Sequence, residues 1–204
     1  MPLEDYQKKR NFDSTSEPKA ESISTEESNL GEAIPIKSKN MLKFVVHKHF
    51  ASHLHFDLRL ELDGVLKSWA VPKGPSINPK DKKLAVMVED HPLEYKDFEG
   101  IIAEGNYGAG KVYIWDHGTY HALDTYDMQE SSLILMEGLE KGHMTFILNG
   151  EKLKGEFALI RLKKALPKDW LLIKKNDEFA AEIDISVLEA PGETVEKENS
   201  KKKR

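Results

Sequence analysis

The stretch His53-Leu54-His55-Phe56-Asp57-Leu58-Arg59-Leu60-Glu61-Leu62 alternates polar and apolar side chains without a break. Alternation with a period of two is typical of a β-strand, in which successive side chains point to opposite faces. The even-numbered Leu and Phe residues are therefore predicted to enter the core, and the odd-numbered His, Asp, Arg and Glu residues to lie on the other face. A second short strand is predicted at 42–49, and residues 50–52 have the length of a hairpin connection, so His47 and His49 are expected to face the same region.

The polar face of this strand has an unusual composition for a surface. Many half-solvated strands alternate in the same way, and their polar side chains only contact water. Here four of the eight histidines fall between residues 47 and 55, close to Asp57 and Arg59. Two neutral imidazoles and a carboxylate bind divalent transition ions, and a guanidinium offers two parallel donors to phosphate oxygens. The combination favours metal-assisted phosphoryl chemistry over a solvated strand face.

Several segments together resemble one known family. The strand motif His49-x-x-x-x-x-His55-x-Asp57-x-Arg59 is followed by Trp-Ala-Val-Pro-Lys-Gly-Pro at 69–75, Val-Glu-Asp-His-Pro-Leu-Glu-Tyr at 88–95 and Gly-Asn-Tyr-Gly-Ala-Gly at 105–110. Segments 9–18 and 170–175 match as well, so the likeness runs from about residue 6 to residue 182. The pattern resembles the 3′-phosphoesterase domain of the bacterial DNA ligase D repair enzymes, in a stand-alone form without polymerase or ligase segments.

The resemblance implies a central β-barrel with small external helices and a set of site residues. His49, His55 and Asp57 would hold the metal. Arg59, His91 and Tyr95 would complete the catalytic group, and the phosphate contacts would come from Arg10, Arg59, Lys73, Lys83 and His91. Glu17, Glu89 and Asn11 would support these residues. Asn11 and Lys83 depart from the family, which has Asp and Arg at these positions, and both replacements weaken charged, bidentate contacts.

Composition and charge limit the other functions to consider. The 204 residues are 39% hydrophobic and 32% charged, enough for one well-buried core, and no apolar run is long enough to cross a bilayer. No hydrophobic signal segment opens the chain, so a soluble, cytoplasmic protein without a membrane partner is expected. With no cysteine, only imidazoles and carboxylates remain as strong metal ligands. The net charge of −5 argues against tight nucleic-acid binding and predicts weak, salt-sensitive binding.

The chain divides into three predicted regions. Residues 1–40 are expected to form an N-terminal arm and a flexible segment, 41–182 the phosphoesterase barrel, and 183–204 a flexible charged tail. Short strands separated by turn signals, such as Asp63-Gly64, His117-Gly118 and Asn149-Gly150, predict a mainly β, single-domain antiparallel barrel with few short peripheral helices. The two helices predicted are 123–130 and 177–181.

The function implied by the resemblance is manganese-dependent processing of 3′ ends in non-homologous end joining. The enzyme would hydrolyse the terminal phosphodiester of a primer ending in a ribonucleotide and then remove the remaining 3′-phosphate. Manganese comes from the resemblance, because the ligands alone suit Co²⁺, Zn²⁺ or Fe²⁺ equally. A separately encoded ligase or polymerase is a plausible partner. Two alternatives stay open: an iron oxygenase whose His-x-Asp motif is His55-Phe56-Asp57, and a non-catalytic module that binds DNA ends.

Overall fold

A computed structural model describes residues 3–20 and 41–193. Within these ranges it contains two α-helices, a short 3₁₀ helix, nine strands and a helical turn at residues 191–193. The helices are α1 (Leu3–Lys8), the 3₁₀ helix (Leu93–Asp97) and α2 (Met128–Lys141). The strands are β1 (Leu42–Phe50), β2 (Leu54–Leu62), β3 (Val65–Val71), β4 (Lys83–Met87), β5 (Gly100–Ile102), β6 (Gly110–Ala122), β7 (His143–Gly150), β8 (Lys154–Arg161) and β9 (Asp169–Lys174).

The strands close into an antiparallel barrel. Their order is β1-β2-β3-β4-β9-β8-β7-β6, and β1 also pairs with β6, so the ring has no free edge among these eight strands. The ninth, β5, extends the sheet beyond β6. The mainly β, antiparallel barrel with few short helices is therefore confirmed.

The barrel interior is filled by the apolar residues that the alternation predicted. Phe56, Leu58, Leu60 and Leu62 are buried in one cluster with side chains from all seven other strands of the ring. Removing such apolar surface from water is the main force that stabilises the closed sheet. The odd-numbered face of β2 consequently points out of the barrel, where α1, the 3₁₀ helix and the segments beside them cover it. Leu54, at the start of β2, was also predicted to enter the core but is 45% exposed.

Strand β6 changes its alternation at a bulge. Its pairing with β1 skips Trp115 between Val46 and His47. Odd-numbered residues therefore enter the interior up to the bulge, as Tyr113 and Trp115 do, and even-numbered residues such as Tyr120 enter it beyond the bulge. The sequence predicted a turn at His117-Gly118, whereas Gly118 lies inside this strand. A Cβ there would lie 2.2 Å from the backbone oxygen of Asn149, so the glycine serves the close approach of two strands.

The helix predicted at 123–130 begins later than expected and is longer. In α2, the Asp127 side chain accepts from the Glu130 amide at the N-cap, and Gly142 ends the helix in a left-handed conformation. The bounds of α2 are thus set by its capping residues Asp127 and Gly142, and the apolar pattern did not reveal them. Residues 177–181 form turns instead of the predicted helix.

Both terminal segments pack against the barrel where the structure describes them. Tyr6 of α1 is fully buried, and its hydroxyl donates to the Pro18 carbonyl at 2.6 Å. Near the other end, Lys48 pairs with Glu193 at 2.8 Å, and the Trp115 indole donates to the Leu188 carbonyl. The flexible segments predicted from the sequence otherwise fall at 21–40 and 194–204, outside the described residues.

A search of the described ranges finds no helix long and apolar enough to cross a membrane.

Candidate active site

The β1–β2 hairpin brings two imidazoles and a carboxylate together. His49 and His55 are direct partners across the two strands, and Asp57 follows on the same face of β2. Nδ1 of His49 and Nε2 of His55 each lie 3.7 Å from a different oxygen of Asp57. The three ligand atoms are all within 4.8 Å of one another, close enough to share one metal ion.

Backbone contacts orient both imidazoles for this task. Nε2 of His49 lies 2.9 Å from the carbonyl oxygen of Gly108, and Nδ1 of His55 lies 3.0 Å from that of His53. A carbonyl can only accept, so each of these nitrogens carries the hydrogen when the ring is neutral. The other nitrogen of each ring then directs its lone pair into the space shared with the Asp57 carboxylate, where a metal ion can bind. Such outer contacts commonly fix the tautomer and rotation of metal-binding histidines.

Arg59 keeps the Asp57 carboxylate charged. Burial alone would raise the pKa of Asp57, but the positive charge of Arg59 brings this pKa well below its ordinary value. Nη2 of Arg59 donates to Asp57 at 3.1 Å. A carboxylate that stays ionised in a buried position is ready to bind a cation.

Arg59 is itself held from three sides. Its Nε donates to Nδ1 of His47 at 3.2 Å and its Nη1 to the Ser68 hydroxyl at 3.0 Å, while the Tyr95 ring lies 4.7 Å from the guanidinium. Burial and the nearby Arg59 charge lower the pKa of His47 to about 3, so His47 is a neutral acceptor. The guanidinium is therefore fixed in one orientation beside the metal ligands.

His91 is fixed by a pair of backbone hydrogen bonds. The amide of each of His91 and Leu66 donates to the carbonyl of the other, which attaches the loop after β4 to strand β3. Nδ1 of the ring lies 2.9 Å from the Glu89 carbonyl, and Nε2 lies 3.3 Å from Arg10. Because the guanidinium can only donate, Nε2 is an acceptor and His91 is neutral. Burial, together with the charges of Arg59 and Arg10, lowers the pKa of His91 well below its ordinary value.

The N-terminal arm completes the site with a buried ion-pair cluster. Arg10 donates to Glu89 at 2.7 Å and to Glu17 at 3.2 Å, and Lys9 donates to the second oxygen of Glu89 at 2.9 Å. The Tyr95 hydroxyl donates to Glu17 at 3.0 Å. Burial and the Glu17 charge raise the pKa of Tyr95 well above its ordinary value, so the phenol stays protonated.

These groups surround one cavity of about 300 Å³. Of the residues expected at the site, nine line it: Arg10, Glu17, His49, His55, Asp57, Arg59, Glu89, His91 and Tyr95. The other three lie elsewhere. Lys73 is exposed after β3, Lys83 contacts Asp81 at 3.4 Å, and the exposed Asn11 accepts from the Asp13 amide.

Three residues around the site were not assigned a role from the sequence. His47 shares the alternation of His49, which placed it on the correct face but did not reveal its bond to Arg59. Ser68 is opposite Arg59 in the β2–β3 pairing, a relation that only the strand register defines. Tyr107 lies in the glycine-rich segment at 105–110, which contributed to the resemblance without indicating a role for this side chain.

The donor set fits a divalent transition ion, and its surroundings fit an anion. Two neutral imidazoles and one carboxylate leave open positions on such an ion. Arg59 and Arg10 offer guanidinium donors in the same cavity, and the neutral His91 offers a polar ring edge. A ligand with negatively charged oxygens is therefore the natural occupant.

Comparison with known proteins gives consistent matches. A model of the DNA ligase D 3′-phosphoesterase domain matches residues 47–161. The multifunctional non-homologous end joining protein LigD of Pseudomonas aeruginosa is 47% identical over 184 residues, 90% of this chain and 20% of that protein. The protein of the same name in Mycolicibacterium smegmatis is 42% identical over 142 residues, 70% of this chain and 18% of that protein. The chain thus spans about a fifth of the length of these two relatives.

Proposed function

Because the chain belongs to the DNA ligase D 3′-phosphoesterase domain family, we propose that it is a metal-dependent hydrolase that processes 3′ ends of nucleic acids in non-homologous end joining. Its substrates would be primer ends that carry a terminal ribonucleotide or a 3′-phosphate. The first reaction would cleave the terminal phosphodiester and leave a 3′-phosphate, and the second would release that phosphate and leave a 3′-hydroxyl. A ligase or polymerase that uses the 3′-hydroxyl is the expected partner.

The observation that carries this proposal is the position of Arg59 beside His49, His55 and Asp57 in one cavity. An iron oxygenase would also use two histidines and a carboxylate, but its second histidine would come from far downstream of the His-x-Asp motif. Here the second imidazole is His49, which lies upstream on the adjacent strand. The donor set and the anion-binding groups together support phosphoryl transfer to water.

We assign the metal to His49, His55 and Asp57, with Mn²⁺ as the proposed ion. When bound, a divalent ion there would supply positive charge to the phosphoryl oxygens and lower the pKa of a nearby water. The carbonyls of Gly108 and His53 each accept from one imidazole nitrogen, so the other nitrogen of each ring can bind the ion. The carboxylate of Asp57 stays ionised and contributes the negative charge that a cation requires.

The chain's own residues would act on the phosphoryl group. In each reaction a water oxygen forms a bond to phosphorus, the bond to the leaving oxygen breaks, and that oxygen takes up a proton. Arg59 would donate to two phosphoryl oxygens as negative charge accumulates on them. The neutral His91 and the protonated Tyr95 line the same cavity and supply a polar ring edge and a hydroxyl. Arg10 would give up part of its contact with His91 and donate to the phosphate instead.

The proposal is tested with a 5′-labelled primer annealed to a template and ending in one ribonucleotide. With Mn²⁺, the wild-type protein should give a shortened product with a 3′-phosphate and then a 3′-hydroxyl end. Chelation, or the change Asp57→Asn, should abolish both products. If the wild-type protein bound the DNA but produced neither end with Mn²⁺, Co²⁺ or Zn²⁺, it would be a binding module and the proposal would be wrong.

A further inference from the structure

Tyr107 is an exposed aromatic residue at the entrance of the active-site cavity. It lines the cavity together with the metal-binding group, yet half of its surface is exposed. The other tyrosine in the lining, Tyr95, is 2% exposed and is held by Glu17. Tyr107 therefore presents ring surface to whatever enters the cavity.

The loop that carries Tyr107 is tied to the metal site. Gly105 and Gly108, on either side of it, have φ angles of +88° and +77°, which L side chains rarely adopt. The carbonyl of Gly108, the next residue along the chain, is the group 2.9 Å from Nε2 of His49. Tyr107 is thus adjacent in sequence to the residue whose carbonyl orients a proposed metal ligand.

The same loop is tied to the N-terminal arm. The Ser14 hydroxyl donates to the Asn106 side chain at 2.8 Å. Nζ of Lys9 lies 4.9 Å from the centre of the Tyr107 ring, and the Arg10 guanidinium carbon lies 5.3 Å from it. Two cations therefore lie over the Tyr107 ring while half of its surface stays exposed. This arrangement fits a flat group attached to an anionic backbone.

We propose that Tyr107 is a stacking platform for the base of the nucleoside whose 3′ oxygen carries the reacting phosphate. This inference rests on the proposed function and adds a binding residue to it. The same nucleoside is present in both reactions, because it retains the phosphate after the first and loses it in the second. Stacking tolerates any base, since every base has an aromatic face. Tyr107 would thus recognise a nucleoside without selecting its sequence.

A second role for the ring must be separated from stacking. Tyr107 also contacts Lys9 and Arg10, so its removal could loosen the arm and weaken catalysis without any contact to a base. The two roles differ in their dependence on the substrate. Loosening the arm would reduce the reaction of every substrate equally, whereas loss of stacking would affect only substrates that have a base at this position.

The first experiment reports stacking without turnover. An oligonucleotide carries 2-aminopurine at its 3′-terminal nucleotide and ends in a 3′-methylenephosphonate, in which a CH₂ group replaces the 3′ oxygen. The bond to phosphorus at the scissile position is then a carbon–phosphorus bond that resists hydrolysis. At saturating protein, wild type and Tyr107→Phe should quench the fluorescence, and Tyr107→Ala should leave most of it. Tyr126→Ala is a matched control because Tyr126 is 82% exposed and does not line the cavity. Equal quenching by all four proteins would overturn the proposal.

The second experiment is a cycle of two proteins and two substrates. Wild type and Tyr107→Ala are compared on 3′-phosphate oligonucleotides whose terminal nucleotide is either normal or abasic. We expect Tyr107→Ala to raise KM about tenfold or more on the normal end, with a small change in kcat, and to have little effect on the abasic end. An equal loss on both ends would assign Tyr107 to the arm alone. If wild type processed neither substrate, the proposed function itself would fail.

Discussion

Arg59 shows how much of this site depends on the environment of a single side chain. Its charge lowers the pKa of Asp57 and of His47, and it contributes to the low pKa of His91. Its own orientation depends on the His47 and Ser68 acceptors. The sequence identified Arg59 from its place on the strand, but the partners that hold it come from β1 and β3 and required the strand register.

We predict that catalysis depends on the hydrogen bond that His47 accepts from Arg59 and not on the imidazole ring as such. His47→Gln retains a side-chain acceptor, whereas His47→Leu leaves the guanidinium Nε without one. Hydrogen bonds to charged groups contribute about 2 kcal/mol, so kcat/KM of the Leu variant should fall roughly 30-fold. The Gln variant should stay within a few-fold of wild type in the primer assay. Equal losses in both variants would show that Arg59 does not need this acceptor.

At His91 we predict a pH effect on folding stability. The pKa of His91 is depressed in the folded protein, so below about pH 6.5 the unfolded chain takes up a proton that the folded chain does not. The free energy of unfolding therefore decreases as the pH falls. Groups on all sides contribute to the environment of this ring: Tyr6, Arg10, Asp57, Arg59, Glu89 and Tyr95.

The change His91→Gln should remove this titration. Between about pH 6 and pH 5, the variant should lose about 1 kcal/mol less of its free energy of unfolding than wild type, whatever its absolute stability. Urea unfolding at a series of pH values, in chelator-treated buffer, measures the two slopes. Parallel slopes would mean that His91 is protonated in the folded protein.

At the scale of elements, the sequence predicted β2 well and α2 poorly for physical reasons. In strand β2 the apolar face fills the barrel and the polar face forms the site. The strict alternation that results made this strand easy to predict. Helix α2 exposes Leu133 and Ile134 while burying Ser131, which blurs the apolar stripe expected of a surface helix. The capping residues Asp127 and Gly142 were its better signal. The resemblance implied that the arm contributes residues to the site, but no pattern in the sequence predicted their packing.

The arm should contribute to folding stability through Arg10. The change Arg10→Ala leaves Glu17 and Glu89 buried near one another with Lys9 as the remaining cation that contacts Glu89, and should cost about 3 kcal/mol. Adding Glu89→Gln removes one of the two buried negative charges and should restore about 1 kcal/mol or more. Chemical denaturation of both variants measures this. Lys8→Ala is the control, because the Lys8–Glu4 pair is exposed and contributes little. A double variant less stable than the single one would contradict the argument.

At the scale of the whole molecule, an acidic protein is proposed to act on an acidic substrate. The formal net charge is −5, and the cations in the cavity are already paired with carboxylates. Long-range attraction therefore adds little to DNA binding, and the few local phosphate contacts supply most of it. Such binding weakens as salt competes for the phosphates.

We predict that kcat/KM on the primer substrate falls steeply with salt. The logarithm of kcat/KM should decrease with the logarithm of salt concentration by about 0.7 to 0.9 for each phosphate contact. Folding stability, measured by thermal unfolding in the same buffers, should change far less. A flat activity profile at subsaturating DNA would count against a nucleic acid as the substrate.

The position of the proposed metal ligands within a single hairpin bears on how the protein is assembled. His49, His55 and Asp57 meet through a short connection, whereas barrel closure must bring β1 to β6 from far along the chain. Closing a short loop costs little conformational entropy, and distant strand pairing is slow. An ion could therefore be captured by the nascent hairpin before the ring is complete. Metal supply during synthesis would then influence the rate of maturation as well as later turnover.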